Sequence, residues 1–125
     1  MHILIVEDDI FFQKFYATKL QEAGFIVEVA SDGEEGIIRA KESKPDLIIL
    51  DIIMPNKDGF ATLEDISKDK ELKRIPILIF STLSQEADVQ KGLSLGAVGY
   101  VNKTFFDFDT LKSKIEEAVK KGMSR

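Results

Sequence analysis

The residues able to do chemistry sit where apolar runs stop. Ile3-Leu4-Ile5-Val6 ends at Glu7-Asp8, Leu47-Ile48-Ile49-Leu50 at Asp51, and Ile77-Leu78-Ile79-Phe80 at Ser81. A fourth run, Val98-Gly99-Tyr100-Val101, leads to Asn102-Lys103. Short apolar runs without alternation are the pattern of strands covered on both faces. As neighbouring parallel strands, they bring three carboxylates, a hydroxyl and an ammonium to one edge of a sheet. That set suits a hard cation and a phosphoryl group. A lone carboxylate after Leu-Ile-Ile-Leu is costly near a core unless paired or metal-bound, which makes Asp51 the hardest residue to explain otherwise. Beside Glu7 and Asp8 without a cation, it would suffer like-charge repulsion and a raised pKa. Mg²⁺ removes the conflict: it takes carboxylate oxygens, keeps several waters and accepts phosphate oxygens.

A carboxylate is also a nucleophile able to form an aspartyl phosphate. Phosphoryl transfer requires positioning and neutralisation of the equatorial oxygens, for which Mg²⁺, Lys103 and the Ser81 hydroxyl are suited. Each residue taken singly has a plainer reading. The run Glu7-Asp8-Asp9 caps a helix, where negative charge is favourable, and for Asp9 this is the preferred reading. Lys103 alone is a solvated lysine, and Ser81 alone a strand-end cap. Agreement at four strand ends is what favours one shared site.

The elements that position these groups alternate. Asp9 caps a helix over about residues 10–23, with Phe12, Tyr16, Leu20 and Ala23 at helical spacing and Gly24 as its stop. Residues 25–29 read as a strand, less uniformly apolar and so nearer an edge. Asp32 and Glu35 have capping-box spacing and open a helix that ends before Pro45. A loop with Pro55 and Gly59 precedes a helix over about 60–68. Pro76 starts the fourth strand, where a missing N–H is tolerated. Helices over about 85–95 and 108–121 flank the fifth strand, the last with Phe108, Leu111, Ile115, Ala118 and Val119 on one stripe. Five βα units imply a three-layer α/β fold, a parallel five-stranded sheet wound on both faces by right-handed crossovers. In such sheets the site lies beyond the carboxyl ends of the strands.

The 125 residues make one domain, 1–125. A net charge of −5 argues against non-specific binding to nucleic acid or anionic membrane. The lack of cysteine excludes disulfides, thiolate metal sites and Cys nucleophiles. No apolar stretch approaches the roughly 18 residues of a membrane span, and no signal peptide is evident, so a cytoplasmic location is expected.

In order along the chain, several pieces carry a resemblance: Ile3-Leu4-Ile5-Val6-Glu7-Asp8, Ala30-Ser31-Asp32-Gly33-Glu34-Glu35, and Pro45 through Pro55 with Asp58-Gly59. Pro76 through Ser81 and Gly96 through Lys103 complete it. Over its full length the chain resembles the receiver domain of two-component response regulators, single-domain regulators included. The resemblance implies the flavodoxin-like strand order 2-1-3-4-5. It implies that Asp51 accepts a phosphoryl group from a phosphohistidine on a sensor histidine kinase or phosphotransfer protein. Asp8 and Asp51 would bind Mg²⁺ with the backbone carbonyl of Ile53, while Glu7 acts largely through bound water. Ser81 matches the switch hydroxyl, Lys103 the phosphate-sensing lysine, and Tyr100 the aromatic whose rotamer reports phosphorylation. The fourth helix, fifth strand and fifth helix would form the partner-binding face, with homodimerisation on phosphorylation. Such a domain is not a turnover enzyme, although it catalyses its own phosphorylation and in some cases its dephosphorylation. Its downstream target is not readable from this chain.

One departure concerns the residue after Lys103. The family usually has proline there, often with a cis peptide; here it is Thr104, and a cis bond to a non-proline costs about 3 kcal/mol. The bond is therefore cis and strained, or trans with a different loop path. Ile53 and Leu83, two residues after Asp51 and Ser81, are expected to hinder a hydrolytic water and lengthen the life of a phosphoryl group; the plainer reading is loop packing. Gly92 inside the fourth helix, costing about 1 kcal/mol relative to alanine, marks that helix as the weakest and most mobile. Phe11, Lys14 and Thr18 share a face of the first helix where kinases dock in the family, though a half-buried or core Phe11 is the ordinary outcome. Of Phe105, Phe106 and Phe108, at least one is expected in the core, and His2 is expected to be incidental.

Three other functions compete. A phosphorylation-independent interaction module of the same fold would show loss of an acidic-pair residue or the lysine. An FMN or nucleotide binder would want a Ser/Thr/Gly-rich loop after the first strand, where Glu7-Asp8-Asp9 would repel phosphate. An Asp-nucleophile hydrolase would need a substrate cap for which the chain has no room.

Overall fold

Parallel pairing decides where everything else goes. The computed structural model describes residues 1–83, 85–104 and 107–123, and in it β1 (His2–Val6), β2 (Ile26–Ala30), β3 (Leu47–Leu50), β4 (Ile77–Ser81) and β5 (Gly99–Asn102) form one sheet. Their order is β2-β1-β3-β4-β5, every pair parallel, as the resemblance implied. Helices α1 (Ile10–Glu22), α2 (Gly33–Ser43), α3 (Gly59–Lys68), α4 (Glu86–Ser94) and α5 (Phe108–Met123) connect and follow the strands. Successive strand residues point to opposite faces and so feed two cores. Leu4, Val6, Ile48, Leu50 and Ile79 pack with Ala40 of α2 and with Leu63 and Ile66 of α3. Ile3, Ile5, Ile49, Leu78 and Phe80 pack with Tyr16 and Leu20 of α1 and with Leu111, Ile115 and Ala118 of α5.

Four of the helices start on aspartate caps, α5 on Asp107, which accepts from the Thr110 N–H at 2.8 Å. Asp9 accepts from the Phe12 N–H at 3.2 Å, Asp32 from the Glu35 N–H at 2.8 Å, and Asp58 from the Ala61 N–H at 2.9 Å. Each satisfies a backbone donor that the helix itself cannot. Gly24 follows α1 at φ +97°, a conformation that suits glycine. Pro76 lies just before β4 instead of opening it, and its carbonyl accepts from the Ile48 N–H at 3.0 Å.

The structure corrects several sequence expectations. Ala23 is exposed at the end of α1, and the buried stripe instead takes in Gln13, a polar residue, with Tyr16 and Leu20. Phe11 is 69% exposed, because α1 turns its other side to the sheet. β5 is an outer strand with only Val101 buried, so its apolar run does not mean cover on both faces. Phe108 is half-buried against the α1–α5 core; Phe105 and Phe106 lie outside the described residues. Among the described residues, no helix is long and apolar enough to cross a membrane.

Candidate functional site

The register of the sheet alone brings the strand ends together. Val6 pairs with Leu50, so the next residues, Glu7 and Asp51, leave adjacent strands side by side. The Asp51 N–H donates to the Val6 carbonyl at 3.0 Å, and the Glu7 N–H to that of Ala30 at 3.0 Å. On the other side, Ser81 pairs with Asn102, and the Lys103 N–H donates to the Ser81 carbonyl at 2.9 Å. One oxygen each of Glu7, Asp8 and Asp51 falls within 4.8 Å of the others. Glu7 and Asp51 are buried; Asp8 faces solvent.

Lys103 closes the cluster. Its ammonium hydrogen-bonds Glu7 Oε1 and lies 3.3 Å from Asp51 Oδ2. The Lys103 side chain is only 6% exposed, so this pairing is shielded from water. Among the described residues there is no cis peptide; the Lys103–Thr104 bond is trans, and the lysine reaches both carboxylates with threonine in the next position. The remaining carboxylate atoms are anchored by backbone. Asp51 Oδ1 accepts from the Ile52 N–H at 2.7 Å, and Glu7 Oε2 from the Asp9 N–H at 3.1 Å. Burial pushes the Glu7 carboxyl up to about 7, helped by the charge of Asp51 and opposed by the Lys103 hydrogen bond.

Ser81 is fully buried at the end of β4, and its Oγ accepts from the Leu83 N–H at 3.2 Å. Tyr100 stands on β5 level with Ile79, and its hydroxyl donates to the Leu83 carbonyl. Burial raises the Tyr100 pKa, with Asp88 adding to the effect. Leu83 therefore joins the two expected switch residues by its backbone, while its side chain packs on the core. The Ile53 side chain is 54% exposed. Of the expected site residues, Glu7, Asp8, Asp51 and Lys103 meet directly; Ser81 and Tyr100 form a second group through Leu83.

Two supporting residues escaped the sequence reading. Gln13 donates from its amide to the Glu7 carbonyl and, at 3.2 Å, to Ser31 Oγ, tying α1 to the end of β1 and to the connection between β2 and α2. Its place at helical spacing before Tyr16 and Leu20 was the available signal. Gly59 opens α3 so close to β3 that a Cβ would sit 2.6 Å from Ile52 Cα and against the Asp51 carbonyl oxygen. Nothing in the local sequence distinguishes that approach from an ordinary loop glycine.

The donor set fits a small hard cation. All three groups are carboxylates, their oxygens are close enough to share one ion, and the solvent side at Asp8 leaves room for retained water. Three carboxylates about a single ammonium also leave negative charge that a divalent cation would balance.

A parallel sheet in this order carries this carboxylate–lysine cluster at its carboxyl edge. Residues 3–116 match the response regulator receiver domain, and the chain belongs to that family. Domains of this family are switches of two-component systems and are phosphorylated by histidine kinases. The transcriptional activator protein IrlR of Burkholderia pseudomallei is 37% identical over 125 residues, all of this chain and 53% of its own length. Chemotaxis protein CheY4 of Vibrio cholerae superposes with a TM-score of 0.87 at 32% identity, over 94% of this chain and 97% of that one. Response regulator TrrA of Thermotoga maritima, solved in complex with Mg²⁺–BeF, gives a TM-score of 0.82 at 32% identity, over 94% and 97%. The chain spans between 39% and 53% of the length of the curated relatives it matches.

Proposed function

We propose that this chain is a phosphorylation-dependent switch in which Asp51 takes a phosphoryl group from a histidine kinase or phosphotransfer protein. The observation that carries the reading is the meeting of Glu7, Asp8 and Asp51 with one buried lysine at the sheet edge. In the transfer, a carboxylate oxygen of Asp51 forms the new O–P bond. The N–P bond of the donor phosphohistidine breaks, and its electron pair returns to the imidazole. Glu7, Asp8 and Asp51, with the Ile53 carbonyl, are the residues to hold Mg²⁺. When bound, the ion neutralises charge on the phosphoryl oxygens and orients them.

Asp51 is held for this role by the Ile52 N–H on its other oxygen. Lys103 exchanges part of its contact with Asp51 for a phosphoryl oxygen, and Ser81 Oγ gives up the Leu83 N–H to donate to another. That exchange loosens the Leu83 backbone, to which Tyr100 is also bonded. Tyr100 then reorients, altering α4, β5 and α5 as a partner face and, in this reading, a homodimer face. Leu83 and Ile53 slow hydrolysis by limiting the approach of water; rapid loss of phosphate from the purified protein would overturn that part. The functions of the longer relatives, transcriptional activation among them, are extended to this chain only as settings in which such a switch operates.

The test is incubation with acetyl phosphate or beryllofluoride and Mg²⁺, followed by intact mass and NMR. Wild type gains one phosphoryl group and shifts resonances of Ser81, Leu83 and Tyr100; Asp51→Asn does neither. An unresponsive wild type would overturn the reading in favour of a phosphorylation-independent interaction module.

A further inference from the structure

We propose that Phe12 is a positioning residue for Lys103, its ring face holding the ammonium inside the carboxylate cluster; this rests on the roles given above to Asp51 and Lys103. Lys103 Nζ lies 4.6 Å from the centroid of the Phe12 ring. An ammonium has three donors and no acceptor. Glu7 and Asp51 engage the nitrogen as hydrogen-bond acceptors, and the aromatic ring is its third neighbour. A ring face is negative and attracts a cation, more so where water is excluded, as it is around this 6% exposed side chain. A lysine on a flexible four-carbon stem otherwise has no fixed direction of approach.

The ring is itself held in place. Phe12 stacks on Tyr16 with centroids 5.8 Å apart and planes 10° from parallel. Tyr16 meets Phe80 edge-on at 4.9 Å and 66°, and Phe80 immediately precedes Ser81 on β4. The aromatic row thus links the lysine's support to the strand carrying the hydroxyl. The attraction of the ring does not depend on the charge of Asp51. When that carboxylate becomes an acyl phosphate and its hold on Lys103 changes, Phe12 keeps the ammonium facing the site. A leucine at this position would fill similar space without the negative face.

The test replaces Phe12, site-specifically, with mono-, di- and pentafluorinated phenylalanine, which weakens the ring face stepwise at nearly constant shape. Phosphorylation of each protein by acetyl phosphate with Mg²⁺ is followed by intact mass. The rate is expected to fall with each step, by about three- to tenfold over the series, and to about the same extent in Phe12→Leu. If Phe12→Leu does not fold, the fluorinated series still decides. A second readout is independent of phosphate: the Lys103 ε-methylene protons of the unphosphorylated wild type are displaced upfield by the ring, and the displacement is lost in Phe12→Leu. No displacement in wild type, or a rate flat across the series, would overturn the role of Phe12 alone. A wild type that takes no phosphoryl group would overturn the assignment of Asp51 and the role of Phe12 with it.

Discussion

Helices α3 and α4 sit on the same face of the sheet, yet they are anchored very differently. α3 begins on an Asp58 cap and buries Gly59, Thr62, Leu63 and Ile66. α4 begins at Gln85 with no side-chain cap and buries only Gly92. The first is fixed against the strand that carries Asp51; the second lies beside Ile79 and Tyr100, away from the carboxylates. The difference teaches how a switch can be divided. On the proposed reading, the half that does the chemistry is firmly seated, and the half that would report it has no side-chain cap and buries a single helix residue, Gly92, as suits an element near the low end of local stability.

The sharpest way to break that comparison is to add a methyl group to each helix. At Gly59 a Cβ would press on the Asp51 carbonyl and lie 2.6 Å from Ile52 Cα, both backbone, so one side must move. Gly59→Ala is expected to cost about 3 kcal/mol or more, as overpacking against immovable atoms does. At Gly92 the Cβ would meet Ile79 Cδ1 at 2.5 Å, the end of a flexible side chain, with Tyr100 ring atoms at 3.4 and 3.5 Å. Gly92→Ala also gains about 1 kcal/mol of helix propensity, leaving a net change within about 1 kcal/mol of zero. Urea denaturation of both variants checks this. Equal costs would mean that α4 is as firmly seated as α3.

The locked half should also carry the pH dependence. Glu7, buried and pushed up to about 7 from an ordinary 4.5, binds its proton more tightly in the folded chain than in the unfolded one. Its stabilising share is therefore complete below about 4.5 and is lost as pH rises through about 7, a change on the order of 3 kcal/mol. With EDTA present, the urea midpoint is expected to fall across that window in wild type and to stay flatter in Glu7→Gln. Added Mg²⁺, by favouring the ionised carboxylate, is expected to remove most of the slope. A wild-type midpoint that rises over the same window would contradict the assignment.

The same division describes what could be read in the sequence. The locked half was legible, because strand pairing turns sequence position directly into spatial position: four apolar runs with polar terminators read as parallel strands, and the strand order implied by the family resemblance brought Glu7, Asp8, Asp51 and Lys103 to one edge. The caps at Asp9, Asp32 and Asp58 depend on residues three apart and follow from local chemistry, though only the first two were anticipated. What stayed hidden depends on contacts between elements. Gly92 read as a weak point in α4, whereas its missing side chain is also what lets the helix approach Ile79 and Tyr100. Helical spacing put Phe11 off the buried stripe of α1, where it lies, but Gln13 was passed over because its polar side chain gives no sign that it turns inward to the Glu7 carbonyl. Thr104 after Lys103 left the lysine's position open, and only the three-dimensional contacts with Glu7, Asp51 and Phe12 place it.

The smallest expected effect tests the loose half directly. If α4 is mobile partly because Gln85 offers its first turn no side-chain acceptor, then Gln85→Asp should supply what Asp58 supplies to α3. A new cap contributes about 1 kcal/mol, which slows local opening of the first turns by roughly fivefold. Native-state amide exchange of residues 88–94 reads that change, while exchange in α3 should not move. The substitution puts a charge on an exposed residue, where ionic screening weakens its effect on other sites, so Mg²⁺ affinity should also stay within about twofold. Slower exchange in α4 with unaltered metal affinity would show the two halves to be separable. Unchanged exchange would show that the uncapped end does not set how readily α4 opens.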